Sequence, residues 1–280
     1  MNPHAQVASR AAARRGIGRW LLVAAIAWAM LLVALAVVSV RTDEPTVREQ
    51  RGLGQAKPVV DQALRELMGA AGADVVVEVA GHTVREGCRI TPVRDGASLT
   101  SELVVYTPEF DGPGVLAQIA DRLPERYAVR LRRGADGEPV ALRADAGEFV
   151  GIRGVLRAPG VIALTVSTGC RPLDTPVADL RALVAAPAGP RRLLAAWGIA
   201  ESDPGRAVAA PCPAGGDTVT VHGRGRDAQP IRSAVGVGDG DVVVDTAERL
   251  VYRMPDHDVV LEQTADGVRV SLTIPCAGAQ

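Results

Sequence analysis

Residues 20–40 run for 21 positions without a charge, and almost every side chain among them is apolar. As a helix rising 1.5 Å per residue this run is just over 30 Å long, enough for the hydrocarbon core of a bilayer. Arg10, Arg14, Arg15 and Arg19 precede it, while Thr42, Asp43 and Glu44 follow Arg41. The positive-inside bias predicts a cytoplasmic tail over 1–19, a transmembrane helix over 20–40 and everything later outside the cell. A cleaved signal peptide is the rival, because Ala34-Leu35-Ala36 has the form of a cleavage site. Against it, the apolar run continues through Val37, Val38 and Val40. Arg14-Arg15 has the form of a twin-arginine export signal, but a basic flank produces such pairs by chance. A lipoprotein would need a cysteine nearby, and there is none.

A polar, glycine-containing linker is expected over 41–57, able to hold the later residues off the membrane. The pattern then turns helical from Lys57 and Pro58, with Val59, Val60, Ala63, Leu64, Leu67, Met68 and Ala71 on one face. A β-run at 75–79 leads to Cys88, and a strand at 102–107 precedes a helix whose face is Val115, Leu116, Ile119, Ala120 and Leu123. Pro124 stops that helix. Strands follow at 127–132, 140–143, 149–156 and 161–167, before Cys170. The order then recurs. Thr175 as N-cap and Pro176 open a helix burying Val177, Leu180, Leu183 and Val184, and a short one carries Leu193, Leu194 and Trp197 toward Cys212. A strand at 217–222, a short helix at 230–235 and strands at 242–245, 251–253, 259–263 and 268–274 lead to Cys276. This is a degenerate tandem repeat: one module over 58–172 and a second over 173–280. Helices cluster before strands, so each module is read as α+β, an antiparallel sheet with one or two helices on one face.

Composition agrees with two folded modules. Of 280 residues, 48% are hydrophobic and 22% charged, and the roughly 240 beyond the membrane segment can build two cores. Aromatics amount to 3%, too few for stacking platforms that bind sugars or single-stranded nucleic acid. Without the four tail arginines the chain holds 31 − 4 = 27 basic and 32 acidic residues, a balance of −5. Such a surface has no global attraction for nucleic acid.

All four cysteines lie beyond the membrane segment, and an even count in an exported chain implies disulfides. Zinc is the competing reading, but it draws on tight cysteine pairs, and here the closest two are 42 residues apart. Three pairings are open in principle. The repeat selects Cys88–Cys170 and Cys212–Cys276, one per module, whereas crossed pairings would staple the modules together.

The stretches Val161 to Cys170 and Arg269 to Cys276, in an Ala- and Arg-rich chain whose one lysine is Lys57, carry a resemblance. The chain resembles small secreted or membrane-anchored proteins of unknown function from high-GC actinobacteria, in which a helix-led antiparallel sheet ends in a strand V-x-V-S/T-x-x-x-C. The resemblance covers most of 58–276. It implies an envelope location and carries over no functional residue.

Catalytic signatures do not appear in the sequence. Beyond the tail, histidine is limited to His82, His222 and His257, and neither G-x-S-x-G nor S-x-x-K occurs. His222 alternates with Val219 and Val221 and is expected to face solvent; Asp256-His257-Asp258 reads as a strand-entry turn; His82 follows Gly81 after the first strand. The run Gly236 to Asp241 lacks the endings of phosphate and calcium loops. No cofactor or metal is expected. One feature stands out: Arg130, Arg132 and Arg143 share a strand face, and Arg153 and Arg157 share parity on the next strand. Adjacent strands would gather these five into a face suited to bidentate contact with phosphate or carboxylate. Glu148 and Asp145 could neutralise part of it. The resulting expectation is a non-enzymatic, single-pass envelope protein whose modules bind a protein partner or an anionic polymer. An extracytoplasmic hydrolase with an unrecognised site, or the outer half of a sensor acting through a partner, are the alternatives.

Overall fold

A computed structural model describes residues 20–38, 51–177, 183–184, 189–196, 200–226 and 240–276. They belong to two compact units, Met1–Thr46 and Val47–Gln280. In the first, α1 (Trp20–Val38) has a mean hydropathy of 2.9 and buries none of its length against protein. It is long and apolar enough to cross a membrane. Together with two disulfides, it marks the chain as membrane-anchored or secreted.

The second unit opens with α2 (Leu53–Ala71), whose buried stripe includes Val60, Ala63, Leu64, Leu67 and Met68, as the periodicity predicts. It starts four residues before Lys57, so the last part of the expected linker is helical. Pro58 therefore sits in the second turn, where it forgoes one helical hydrogen bond. The upstream start is stabilised from far along the chain. The Leu53 N–H donates to the Pro172 carbonyl and the Gly54 N–H to Asp174 Oδ1, both at 2.8 Å. Glycine leaves room for these partners: a Cβ on Gly52 would lie 1.8 Å from Asp174 Oδ2, and one on Gly54 2.0 Å from Thr175 Oγ1, so a larger residue would push those side chains aside.

A long hairpin follows, β1 (Val76–Thr91) and β2 (Arg94–Tyr106), both extending well beyond the runs visible in sequence. Then come α3 (Gly112–Arg122) and four strands: β3 (Arg130–Arg133), β4 (Pro139–Asp145), β5 (Gly151–Ala158) and β6 (Val161–Ser167). Two expected strand starts are displaced. Tyr127 lies in a 3-10 turn ending at Ala128 with φ 46°, and Phe149 has φ 59°, a left-handed conformation that no strand admits. The six strands form an antiparallel sheet ordered β1-β2-β6-β5-β4-β3. One face packs Leu103, Leu142, Ile162 and Leu164 against Leu64 and Leu67 of α2 and Leu116 and Ile119 of α3.

The second sheet comprises β7 (Leu183–Val184), β8 (Ala200–Pro211), β9 (Asp217–Arg226), β10 (Asp241–Asp245), β11 (Arg249–Arg253), β12 (Asp258–Thr264) and β13 (Gly267–Ile274). Its order is β10-β11-β12-β13-β9-β8-β7, antiparallel at every step. Leu183 and Val184 pair with Val208 and Ala207 in an edge strand, which replaces the helical position expected for them. β8 escaped the sequence reading because Glu201, Asp203, Pro204 and Gly205 interrupt its apolar run. Short helix α4 (Gly189–Ala196) sets Leu194 against Leu250, Val259, Leu261 and Val270 on one face of this sheet. Trp197, the rest of the helix expected after Thr175 and the one expected at 230–235 lie outside the described residues.

Setting β7 aside, the two sheets share one strand order. Each begins with a hairpin, crosses to the far edge, returns as a meander and inserts its last strand beside the hairpin. The disulfides follow this plan. Cys88 near the end of β1 bonds Cys170 after β6, and Cys212 after β8 bonds Cys276 after β13. The sheets also pack on each other: Val76, Val104, Tyr106 and Val161 meet Val244, Val251 and Val260. Among the described residues this packing involves β1, β2, β6 and Ala158 of β5, while Arg130 and Arg132 of β3, Arg143 and Asp145 of β4 and Arg153 of β5 are exposed.

Candidate functional site

The uncovered face is where strand register gathers the arginines. Arg130 on β3 is the direct partner of Arg143 on β4, which is the direct partner of Arg153 on β5. Neighbouring strands lie about 4.8 Å apart, so three guanidinium stems stand in one row across three strands. Arg132 stands beside this row, paired with Ala141. All four are exposed, and among the described residues no carboxylate forms an ion pair with any of them. Arg157 behaves differently. It lies at a register shift and pairs with Glu102 at 2.6 Å, so it leaves the group of five. Glu148 bonds Arg51 at 2.7 Å, away from the row. Asp145 shares the face and its Oδ1 accepts from the Gly147 N–H at 2.9 Å.

Like charges directly opposite one another destabilise a sheet. The second sheet shows how this chain treats charges it pairs: Arg249, Glu262 and Arg269 are direct cross-strand partners on β11, β12 and β13. Glu262 Oε2 accepts from Arg269 Nη2 at 2.7 Å and from Nε at 2.9 Å, and Oε1 accepts from Arg249. That row alternates in sign and is partly buried. The row on the first sheet repeats a single sign and faces water.

The alternating row continues across the interface between the sheets. Glu78 on β1 is fully buried, and its carboxylate accepts from Arg269 Nη1, from the Tyr106 hydroxyl at 2.5 Å and from the Ser271 hydroxyl at 2.8 Å. Burial alone would raise the Glu78 pKa; the His222 hydrogen bond, the Arg269 charge and the Tyr106 hydroxyl overcome it and hold it down to about 2. Burial and the adjacent Glu78 charge push the Tyr106 phenol well above its ordinary range. Glu262 is likewise held low: its burial is outweighed by the Arg249 hydrogen bond and the Arg269 charge. Local periodicity does not reveal this network, yet the sequence carries a signal of it. Glu78 stands between Val77 and Val79, and Arg269 between Val268 and Val270. A charge inside a β-branched run, on a strand packed against another sheet, calls for an opposite charge and hydrogen-bond donors or acceptors to meet it.

His222 does not face solvent as its parity suggested. The second sheet turns that face toward the first, so the imidazole enters the interface. Its Nε2 donates to the Val79 carbonyl at 2.9 Å, and its Nδ1 lies 3.0 Å from Ser271 Oγ and 3.4 Å from Glu78 Oε1. Serine, histidine and glutamate thus meet, but not as a nucleophilic triad. A triad sets acid and hydroxyl on opposite ring nitrogens, whereas here both crowd Nδ1 and the backbone occupies Nε2. Ser271 is also buried, with no approach for a substrate. His82 repeats the theme, with Nδ1 on the buried Ser101 hydroxyl; burial and Lys57 lower its pKa.

His257 lies in the turn between β11 and β12, its Nδ1 2.6 Å from Asp256 Oδ1, and the Met254 N–H donates to its carbonyl at 2.8 Å. This is the strand-entry turn the sequence suggests. Asp258, one residue on, is only 5% exposed, and burial raises its carboxyl to about 6 against the opposing charges of Arg253 and His257. Among the described residues no group of three or more His, Cys, Asp or Glu is placed to hold a metal ion. Comparison of the chain with family models, with curated proteins and with solved structures returned no match.

Proposed function

We propose that this is a non-enzymatic, single-pass protein of the cell envelope. Its α1 stays in the membrane with the N-terminus in the cytoplasm, and its two sheets, a duplicated unit, stand outside. Their task is to bind an anionic envelope polymer or the acidic surface of a partner protein. The row Arg130, Arg143, Arg153 carries this reading: like charges are held in register, exposed and without carboxylate partners, in a chain that alternates charges where it buries them. Guanidinium forks at strand spacing suit successive phosphates or carboxylates of an extended ligand. The shared strand order supports duplication. The hydrolase reading finds no support in the Ser271-His222-Glu78 cluster, whose hydroxyl is buried and whose Nε2 is engaged.

The test is co-sedimentation of the full chain, in detergent micelles, with envelope preparations from the parent cell. Changing Arg130, Arg132 and Arg143 together to Glu should abolish co-sedimentation, and binding by the unmodified chain should fall steeply as salt rises. Retained binding in the triple variant would refute the arginine row as the contact surface.

A further inference from the structure

A cavity of about 250 Å³ lies where the last turn of α2 meets the ends of β11 and β13. That is room for several waters, or one small organic molecule. Its walls are largely apolar, with Met68, Val77, Met254 and Pro275 prominent among them. Methionines suit such a role because their unbranched thioethers adapt to different shapes.

Two charged groups border this apolar space, and their pairing is loose. Asp258 is 5% exposed, yet among the described residues no donor hydrogen-bonds its carboxylate; its ion pair with Arg253 is long, 3.9 Å from Nε to Oδ1. Arg253 Nη2 is buried and has no hydrogen-bond partner. Buried polar groups are normally paired, and leaving them unpaired costs free energy. The same chain brings Glu78 and Arg269 into full hydrogen-bonded contact, so the loose pair is a local departure from its own practice.

We propose that this cavity is a binding site for a small, mainly apolar molecule bearing one carboxamide. The carboxamide N–H donates to Asp258 and its C=O accepts from the Arg253 guanidinium. Charge decides between head groups. A carboxylate would set a second anion beside Asp258, and an ammonium a second cation beside Arg253, both in apolar surroundings. A carboxamide carries donor and acceptor side by side, as the Arg–Asp pair requires, and adds no charge. A hydroxyl must serve both partners with a single oxygen.

The chain supplies its own reporters. It has four methionines, of which Met68 and Met254 line the cavity while Met30 lies in α1. With methionine methyls labelled with carbon-13 in the full chain in detergent micelles, pentanamide should shift the Met68 and Met254 signals saturably and leave Met30 unmoved. Pentanoate, pentylamine and 1-pentanol should bind at least about tenfold more weakly, the loss expected for one unmet hydrogen bond to a charged group. Arg253→Gln should weaken pentanamide by a similar factor. Gly69→Leu is the second variant. A Cβ there meets only Pro213, at 3.5 Å, so the helix accepts it while the longer side chain blocks the cavity. It should abolish the shifts. Equal binding of any of the other three probes, shifts that survive Gly69→Leu, or no saturable shift with pentanamide would each overturn the proposal.

Discussion

Arg269, in the last strand of the second sheet, donates to the carboxylate of Glu78, 191 residues earlier in the first strand of the first sheet. The two side chains tie together sheets that share no strand. Removing one partner from such a pair leaves a buried charge without compensation, which typically costs 3–5 kcal/mol. Glu78→Gln should therefore destabilise the folded unit by about 3 kcal/mol or more, read as a lowered urea midpoint. Replacing Glu78 and Arg269 together with apolar residues of similar volume should recover much of the loss. A double variant as unstable as the single one would show that shape, not charge, governs this contact.

The pH dependence has two limbs. Glu78 has its folded pKa depressed from 4.5 to about 2, so its contribution is complete above pH 4.5 and lost as pH falls through 2. At 1.36 kcal/mol per unit this is about 3 kcal/mol. Asp258 has the opposite sign. Its folded pKa is raised from 3.8 to about 6, so stability is greatest below 3.8 and declines as pH rises through 6. Urea midpoints should peak near pH 4 to 5. Asp258→Asn should flatten the alkaline limb, gaining about 3 kcal/mol at pH 7 relative to the unmodified chain. An unchanged slope between pH 4 and 6 in that variant would remove Asp258 as its source.

Arg143 has an arginine directly opposite it on each side. If this repulsion is maintained for binding, relieving it should stabilise the fold. Arg143→Gln is expected to raise stability by about 0.5 kcal/mol at low salt, with the gain shrinking as salt screens the row. Thermal unfolding at two ionic strengths checks both the sign and the trend.

Asp174 caps α2 across 120 residues of sequence. Asp174→Ala should cost about 1 kcal/mol, the usual value for a lost N-cap. Gly54→Ala should cost more, since its Cβ would fall 2.0 Å from Thr175 Oγ1. Hydrogen exchange at Leu53 and Gly54 would localise both effects to the start of the helix.

What the sequence conveyed depended on whether a residue's partner was near or far. The faces of α2 and α3, the meander β3 to β6 and the strands β11 to β13 follow local periodicity, and they lie close to where alternation sets them. Both disulfides follow from the repeat of elements. The arginine row needed only strand parity and adjacency, though Arg157 was lost to a register shift that parity cannot foresee. Alternation predicts solvent for His222 because it separates two faces without saying what covers each. The first sheet covers that one. The α2 start at Leu53 was equally hidden, since its cap comes from Asp174.

In both sheets the final strand is not an edge. β6 lies between β2 and β5, and β13 between β9 and β12. Until that strand arrives, hairpin and meander have no hydrogen bonds in common and remain two separate ribbons. A chain delivered N-terminus first therefore completes each sheet only when its closing strand emerges. Cys170 and Cys276 come within a few residues of those strands, so each bond partner follows in the chain just after the strand that fills the gap it secures. The placement makes each disulfide a bolt on a finished sheet and spares the growing chain an early crosslink.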